Sequence, residues 1–308
     1  DKFVLYCMFP SCVTTKPMDQ QHIAEDDVND SHLCNKDDIS HLPTNDIRYD
    51  EKKPKWWKQV AGRKGTKAQR RAYQTMTFHR LSTVTFGQMY DFRTMLGYQH
   101  VWLELGSGQG QVLLANAQNH PQIAMIGADI HQPGIGKTLL QIQLALKDSN
   151  TTTSITIPNS MDTEVKKSQI NPVTNHSIPY SNVRVYPGDG IKLIHAISDC
   201  SLSVILMTFP DPWSKRDTHQ RYRLLQNHTL QQIHRVLLPS GRFYLATDDP
   251  TLFESSLDLF TNHSSFFTLV KPCPPRSEWL PVVSKYEQKG WDEGRNTLMA
   301  CWEKITMS

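Results

Sequence analysis

The sequence lacks features that define several whole classes of protein. No run among its 308 residues approaches 18 consecutive apolar side chains, so it encodes no hydrophobic transmembrane helix. Its six cysteines include no Cys-x-x-Cys pair and are too scattered for a disulfide framework or a structural zinc site. The histidines show no metal-binding spacing, and no Gly-x-Ser-x-Gly segment indicates a hydrolase. We therefore expect an intracellular, soluble protein with reduced thiols and no bound metal, in the cytoplasm, the nucleus or an organelle.

The net charge is small but unevenly distributed. The chain carries 33 Lys and Arg against 30 Asp and Glu, for a formal net charge of +3 and a mean hydropathy of −0.48. Residues 1–51 contain 11 acidic and 4 basic side chains and show no helical or strand periodicity. We predict that they form a disordered acidic tail. The other residues contain 29 basic and 19 acidic side chains, an excess that favours a polyanionic partner.

A dense basic segment directly follows the predicted tail. Residues 52–71 include nine Lys and Arg and no acid, and Trp56 and Trp57 lie among them. A charge run is often only a solvated surface, but this density, together with the tryptophans, favours contact with RNA. The candidate contacts to an RNA backbone in this segment are Arg63, Lys64, Arg70 and Arg71.

Short apolar runs alternate with helical segments from residue 101 onward. The predicted strands are 101–105, 123–130, 183–186, 202–209, 241–247, 266–270 and 297–303. Predicted helices cover 111–119, 133 to about 146, and a stretch ending near 237. This alternation is typical of an α/β fold with a parallel sheet and helices on both faces. A polar stretch at 147–182 breaks the rhythm, and we predict an insertion there.

A glycine-rich turn separates the first predicted strand from its helix. Gly106, Gly108 and Gly110 allow a tight turn and the close approach of a ligand to the helix N-terminus. Their spacing lacks the third glycine of the dinucleotide-binding Gly-x-Gly-x-x-Gly pattern. Glu104, just before the turn, would repel a pyrophosphate and attract an ammonium group. Both features favour S-adenosylmethionine and leave a nicotinamide-dependent dehydrogenase as a distant alternative.

Two further predicted strands also end at acidic residues. Asp129, 21 residues after Gly108, is placed to bind ribose hydroxyls, and Asp189 could accept a hydrogen bond from an adenine amino group. Either acid alone could instead be a helix N-cap or a solvated surface group. Together with Glu104, they put acids at three successive strand ends and favour a cofactor site.

The fourth predicted strand ends in a proline-rich turn around Asp211. Pro210 and Pro212 restrict the backbone on both sides, so the carboxylate projects from a stiff turn. Trp213 offers a flat face for a base, a stacking contact that contributes roughly 1–3 kcal/mol. An ordinary surface turn is the alternative, but this edge of an open α/β sheet faces the ligand crevice. Asp211 is therefore the candidate catalytic residue.

Five segments occur in the order typical of the tRNA (guanine-N7-)-methyltransferase family. They are ELGSGQG (104–110), GADIH (127–131), FPDPWSK (209–215), ATD (246–248) and SKYEQKG (284–290). Over about residues 55–305, apart from the 147–182 insertion, the chain resembles this family, which methylates the variable-loop guanosine at tRNA position 46. The resemblance implies that residues 52–308 form a class I methyltransferase domain. Its Rossmann-like, mostly parallel sheet would have seven strands and helices on both faces.

The resemblance also implies roles for individual residues and a partner. S-adenosylmethionine would be bound by Glu104, Gly106, Gly108, Gly110, Asp129, Asp189 and Asp211, and Asp211 would also be catalytic. The substrate guanosine would be contacted by Lys215, Asp248, Ser284, Lys285, Tyr286 and Glu287. The tRNA backbone would be contacted by Arg216, Arg221 and Arg223, in a segment one residue longer than the family's Arg-His-x-Lys-Arg-Arg pattern. The expected partner is tRNA, bound by a monomer or by a complex with a non-catalytic subunit, without a membrane.

Two alternative functions stay open at this point. The Asp-Pro-Trp turn also resembles the Asp-Pro-Pro-Tyr-like turn of exocyclic amino methyltransferases, although the second proline of that turn is absent here. The chain could also be a catalytically silent RNA-binding subunit. Against that stand its four acidic residues at strand ends, which are Glu104, Asp129, Asp189 and Asp211.

Overall fold

The computed structural model describes residues 64–85, 87–152, 178–213 and 223–306, without the side chains of 150–152. Its centre is a single sheet of seven strands in the order β3-β2-β1-β4-β5-β7-β6. The strands are β1 (Val101–Leu105), β2 (Ala124–Ala128), β3 (Val183–Tyr186), β4 (Leu202–Thr208), β5 (Leu237–Thr247), β6 (Phe267–Leu269) and β7 (Leu298–Lys304). The predicted tail, residues 52–63 of the basic segment and residues 153–177 of the predicted insertion lie outside the described ranges.

The pairing of the strands defines the fold class. β1 to β5 pair in parallel, and β7 runs antiparallel between β5 and β6. The direction of the order reverses between β1 and β4, which is the point where open α/β sheets bind ligands. This is the mostly parallel, seven-stranded arrangement of class I methyltransferases, and the fold prediction is confirmed.

Helices connect the strands. Those of the described residues are α1 (Lys67–Thr75), α2 (Phe92–Leu96), α3 (Gln111–Asn119), α4 (Gln132–Thr152), α5 (Gly190–His195), α6 (Asn227–Val236), α7 (Pro250–Thr261), α8 (Arg276–Trp279) and α9 (Lys285–Asp292). The predicted helix 111–119 coincides with α3. α4 continues about six residues past its expected end, so the first residues of the predicted insertion are helical.

Both faces of the sheet are covered by helices. On one face Ile126 of β2 packs in a cluster with Leu193 of α5 and Ile233 of α6. On the other face the neighbouring residue Met125 packs with Leu113 of α3 and Leu139 of α4. All five residues of β2 are buried, as expected for a parallel strand enclosed on both sides. The carboxyl edge of the sheet thereby becomes the place where loop side chains can meet a ligand.

Three other expectations concern membranes, metals and thiols. Among the described residues no helix is both long and apolar enough to cross a bilayer. In the same part of the chain, no three His, Cys, Asp or Glu side chains gather as a metal site would require. Among the described cysteines, Cys273 and Cys301 are free thiols.

Candidate active site

The carboxyl ends of the parallel strands bring the predicted motifs to one edge of the sheet. β1 ends at Leu105 before the glycine turn, and β2 ends just before Asp129. β4 ends just before the Asp211 turn, and β5 ends just before Asp248. Because these four strands run in the same direction, segments distant in sequence line one crevice.

The glycine turn has a backbone that requires glycine. Gly106, Gly108 and Gly110 have φ angles of 76°, 57° and 75°, in the left-handed region. The amide groups of Gly106 and Ser107 donate to the Ala128 carbonyl at 2.8 and 3.1 Å, which ties the turn to the end of β2. A Cβ atom at Gly110 would lie 2.5 Å from the Thr138 side chain of α4. The turn leads into α3 without a side-chain cap.

Asp129 holds the glycine turn from the neighbouring strand. Its Oδ2 accepts a hydrogen bond from the Gly108 amide at 2.7 Å, and its Oδ1 accepts one from the His131 amide at 2.6 Å. Burial raises the pKa of the Asp129 carboxyl, and these two hydrogen bonds oppose the shift. Each carboxylate oxygen has further acceptor capacity, so binding of ribose hydroxyls is compatible with this arrangement.

Asp189 follows β3 as predicted, but its side chain has a local partner. It is the N-cap of α5 and accepts a hydrogen bond from the Ile191 amide at 2.9 Å. The N-cap interpretation considered from the sequence is therefore correct for this acid. Its contact with an adenine amino group stays a prediction.

Glu104 is the most unusual carboxylate of the crevice. The side chain is only 2% exposed, and its Oε1 accepts a hydrogen bond from the Thr208 hydroxyl at 2.9 Å. Its Oε2 is buried without a hydrogen-bond partner. Burial raises the pKa of Glu104 to about 7; the charge of Asp129 adds to this shift, and the Thr208 hydrogen bond and the nearby Leu113 amide oppose it. An orphaned carboxylate oxygen suits a cationic ligand group, such as the ammonium of S-adenosylmethionine.

A pocket at this edge combines the predicted cofactor and substrate residues. It is lined by Glu104, Gly106, Ser107, Gly108, Gln109, Gln111, Val112, Thr208, Ser284 and Tyr286. Glu104 and the glycines come from the predicted cofactor site, whereas Ser284 and Tyr286 come from the predicted substrate segment. The tertiary structure thus joins two segments that lie almost 180 residues apart in the chain.

The start of α9 forms the substrate side of this pocket. Ser284 caps the helix by accepting from the Glu287 amide at 3.2 Å, and the Lys285 amide donates to Gln111 Oε1 at 3.0 Å. The Tyr286 ring is 50% exposed, and the ammonium of Lys285 lies 4.5 Å from its centroid. An exposed ring beside a cation can stack with a nucleic-acid base.

The structure does not bring Glu287 to the pocket. Its side chain is 0% exposed and forms a bidentate ion pair with Arg276 of α8, and the Thr297 hydroxyl donates to its Oε1 at 2.7 Å. Consecutive helical residues point about 100° apart, so Tyr286 faces out while Glu287 faces in. This differs from the predicted guanosine contact and makes Glu287 an anchor for α9.

The Asp211 turn has a strained backbone. Phe209 and Trp213, at its two ends, have φ angles of 49° and 47°, which cost on the order of 1–3 kcal/mol each for non-glycine residues. The Phe209 amide donates to the Ala246 carbonyl at 2.7 Å. Asp211 itself is exposed, and partial desolvation raises the pKa of its carboxyl. Lys215, Arg216 and Arg221 lie outside the described residues.

Asp248 lies at the end of β5 and has a cationic partner. Its Oδ2 accepts a hydrogen bond from Arg295 Nε at 2.9 Å, and Arg295 also pairs with Glu293. A Cβ atom at Gly290 of α9 would lie 2.6 Å from the same Asp248 oxygen. The predicted guanosine contact is thus held against the helix that carries Tyr286.

The predicted RNA-backbone residues fall into two groups. Lys64, Arg70 and Arg71 are exposed on or just before α1; Arg63 lies outside the described residues. α1 packs closely on α4, since a Cβ atom at Gly136 would lie 2.9 Å from the Gln69 carbonyl oxygen. Arg223 is only 8% exposed, so the structure does not present it to an RNA backbone.

Several residues of the crevice were missed by sequence reasoning. Thr208 precedes the Asp211 motif, and its place at the end of the strand beside β1 is a usable signal. The residues that bind Lys285, Glu287 and Asp248 from distant parts of the chain carry no such local signal. They are Gln111, Arg276, Arg295 and Thr297.

The fold and the crevice together define a class I methyltransferase. Residues 98–300 match a family model described as "Putative methyltransferase", and the chain belongs to this family. Membership favours methyl transfer over the dehydrogenase alternative.

Curated relatives carry a more specific name. The tRNA (guanine-N(7)-)-methyltransferase of Ruegeria pomeroyi is 29% identical over 68% of this chain and 74% of its own length. The protein of the same name from Hydrogenovibrio crunogenus is 28% identical over 78% of this chain and 87% of its own. Among solved structures, the 16S rRNA methyltransferase KamB is 12% identical over 71% of this chain and 95% of its own, with a TM-score of 0.45.

Proposed function

We propose that this protein transfers the methyl group of S-adenosylmethionine to N7 of a guanosine in tRNA, at position 46 of the variable loop. The observation that carries the proposal is the pocket in which Glu104 and the glycine turn meet Ser284 and Tyr286. A methyl donor and an acceptor base need adjacent sites, and this pocket joins the two predicted ones. The names of the curated relatives support tRNA guanosine as the acceptor.

The described residues fit S-adenosylmethionine. The orphaned Oε2 of Glu104 would accept from the ammonium group, the glycine turn would lie against the ligand, and Asp129 would bind the ribose. When bound, this cofactor supplies an electrophilic methyl group on a sulfonium. The family membership and the chemistry of these acceptor groups support S-adenosylmethionine over other cofactors.

Methylation of guanine N7 requires little acid–base catalysis from the protein. This nitrogen carries a lone pair and no proton, so no general base is required to expose it. Positioning and electrostatics would supply most of the acceleration, and well-oriented groups can contribute on the order of 7–11 kcal/mol. Methylation leaves a positive charge on the purine, which an ionised Asp211 would stabilise. Asp248 would accept from the guanine ring N–H or its exocyclic amine and so discriminate against adenine.

The test is methyl transfer by the purified full chain to a tRNA transcript, followed by mapping of the modified base. We expect 7-methylguanosine at position 46 and no product with a transcript that lacks this guanosine. Asp211→Ala should lower kcat by about 100-fold or more, and cofactor affinity measured in parallel separates the catalytic role of Asp211 from its predicted contact with S-adenosylmethionine. Asp258→Ala, which removes an exposed carboxylate of α7, is the matched control and should retain activity.

Other outcomes separate the alternatives. A methyl group mapped to an exocyclic amine would show an amino methyltransferase instead. Failure to bind S-adenosylmethionine would favour the silent RNA-binding subunit. Activity of the chain by itself would favour the monomer, and activity that appears only with a second subunit would favour a complex.

A further inference from the structure

Arg223 is a buried arginine whose side chain points to the candidate catalytic turn. Nine residues of the sequence separate it from Trp213, the last residue of the turn, and it is the first residue of the described range 223–306. Its Nε donates to the Pro212 carbonyl at 2.8 Å, and its Nη1 donates to the Ser255 hydroxyl of α7 at 2.9 Å. The guanidinium therefore connects the residue next to Asp211 with a helix packed on the sheet.

The turn needs such a contact because it has few donors of its own. Pro210 and Pro212 lack amide hydrogens, so they cannot donate to carbonyls within the turn. The hydrogen bond from the Phe209 amide to the Ala246 carbonyl fixes the turn at its start. The bond from Arg223 to the Pro212 carbonyl fixes it after Asp211, and a charged donor makes that bond stronger than a neutral one.

The helix side of this contact is also fixed. Ser255 donates its own hydroxyl to the Leu252 carbonyl at 2.9 Å, which orients its oxygen as an acceptor for Arg223. Leu252 is itself held at the start of α7, where its amide donates to Asp249 Oδ1 at 2.7 Å. The guanidinium is thus held by groups of defined orientation, and its position is not set by solvent.

We propose that Arg223 is a positioning residue, which holds the Pro210–Pro212 turn against α7 so that Asp211 faces the methyl-transfer site. This inference rests on the proposed function and replaces the predicted role of Arg223 as a tRNA-backbone contact. A phosphate contact must be exposed, whereas Arg223 is 8% exposed: two of its nitrogens have protein acceptors, and its Nη2 is itself buried, without a hydrogen-bond partner.

The test compares Arg223→Met, Arg223→Lys and Ser255→Ala with the wild type. Three properties are measured: methylation kinetics on tRNA, the salt dependence of tRNA binding, and hydrogen exchange of the Asp211 and Trp213 amides. Every measurement is made at a temperature well below the thermal unfolding midpoint of each variant. Arg223→Met should lower kcat by about 10- to 100-fold, because small misplacements of reacting groups have effects of this size. Its KM for tRNA and the salt dependence of its tRNA binding should stay at wild-type values, and hydrogen exchange of the two amides should accelerate.

Smaller changes to the contact should give smaller effects of the same kind. Lysine supplies one donor without the fork geometry of arginine, so Arg223→Lys should restore only part of kcat. Ser255→Ala leaves the Pro212 bond in place and should lower kcat about two- to fivefold. Arg242→Met is the matched control, because Arg242 pairs with Glu303 of β7 at the middle of β5, away from the Asp211 turn, and its loss should leave kcat unchanged.

Four outcomes decide between the roles. A flatter salt slope and a raised KM at unchanged kcat would show a phosphate contact and overturn the proposal. Wild-type kcat and exchange in Arg223→Lys and Ser255→Ala would also overturn it, even if Arg223→Met failed to fold. A wild-type chain that makes no 7-methylguanosine would contradict the proposed function, whereas faster exchange in the variants would still support the structural contact. A loss of kcat together with faster exchange supports both.

Discussion

The Thr208 hydroxyl donates a hydrogen bond to Glu104 Oε1 at 2.9 Å, while Glu104 Oε2 is buried without a partner. One oxygen of this carboxylate is thus held by the neighbouring strand, and the other is left for a ligand. Burial raises the pKa of Glu104 to about 7, so the ligand-free carboxyl titrates near neutral pH. A cation at Oε2 would favour the ionised form and release a proton on binding.

The first prediction concerns the pH dependence of cofactor binding. Affinity for S-adenosylmethionine should rise between pH 5.5 and 7.5, because ionised Glu104 binds the ammonium, which itself stays protonated up to about pH 7.7. Glu104→Gln should lower affinity about 10- to 100-fold at pH 7.5 and flatten the pH dependence. Calorimetric titrations across this range measure both effects, and an unchanged pH profile in the variant would assign the titration to another group.

The same group predicts a change in stability. The pKa of Glu104 is raised from its ordinary value of 4.5 to about 7, so the folded state binds more protons than the unfolded state within that window. The contribution of Glu104 to the free energy of unfolding therefore falls as the pH rises through the window. Glu104→Gln should stabilise the ligand-free protein at pH 8 by on the order of 2 kcal/mol and change little at pH 4.5. Denaturant unfolding at the two pH values tests this.

A second prediction concerns the glycine turn. Gly110→Ala places a Cβ atom in a left-handed conformation and 2.5 Å from Thr138, so it should shift the turn or α4. We expect a loss of stability of about 2–4 kcal/mol and a loss of cofactor affinity of at least tenfold. Gly97→Ala is the matched control, because Gly97 is also left-handed but has open space around it. It should lose only about 1–2 kcal/mol and bind the cofactor normally.

A third prediction concerns RNA contact by α1. We replace Lys64, Arg70 and Arg71 together by Gln. If all three contact phosphates, the slope of the logarithm of the tRNA association constant against the logarithm of salt concentration should become shallower by about 2–3. Cofactor affinity should not change, because these side chains are exposed and none of them lines the pocket. Lys147→Gln, at the far end of α4, should leave the slope unchanged. An unchanged slope in the triple variant would remove α1 from the RNA interface.

A fourth prediction concerns the buried pair that anchors α9. Arg276→Met leaves the buried Glu287 carboxylate without its partner and should destabilise the protein by about 3–5 kcal/mol. The double variant with Glu287→Met removes both charges and should recover most of that loss. A thermodynamic cycle from denaturant unfolding measures the coupling. Additive effects of the two substitutions would contradict the anchoring role of the pair.

Local sequence patterns predicted much of the sheet. β1 and β3 have the predicted bounds, and β2 and β4 differ from theirs by a few residues at most, because buried parallel strands are short apolar runs between turns. The antiparallel strands β6 and β7 also lie within one residue of their predicted bounds at each end. β5 begins at Leu237, before the expected 241, since its pairing with β4 resumes across a register shift. The short helices α8 and α9 contain too few residues for a periodic hydrophobic pattern. Their helical conformation depends on their packing against the rest of the domain.

The sequence by itself determined which side chains reach the carboxyl edge of the sheet, because short local patterns of residues specify where the strands end and where the glycine turn forms. Only the tertiary structure decided what those side chains contact. It left one oxygen of Glu104 unpartnered, turned Glu287 inward to Arg276 and directed Arg223 to the Pro212 carbonyl. These outcomes depend on partners that lie far apart in the chain or on which side of a helix faces the core. Residue type and local spacing therefore cannot distinguish a ligand contact from a structural one.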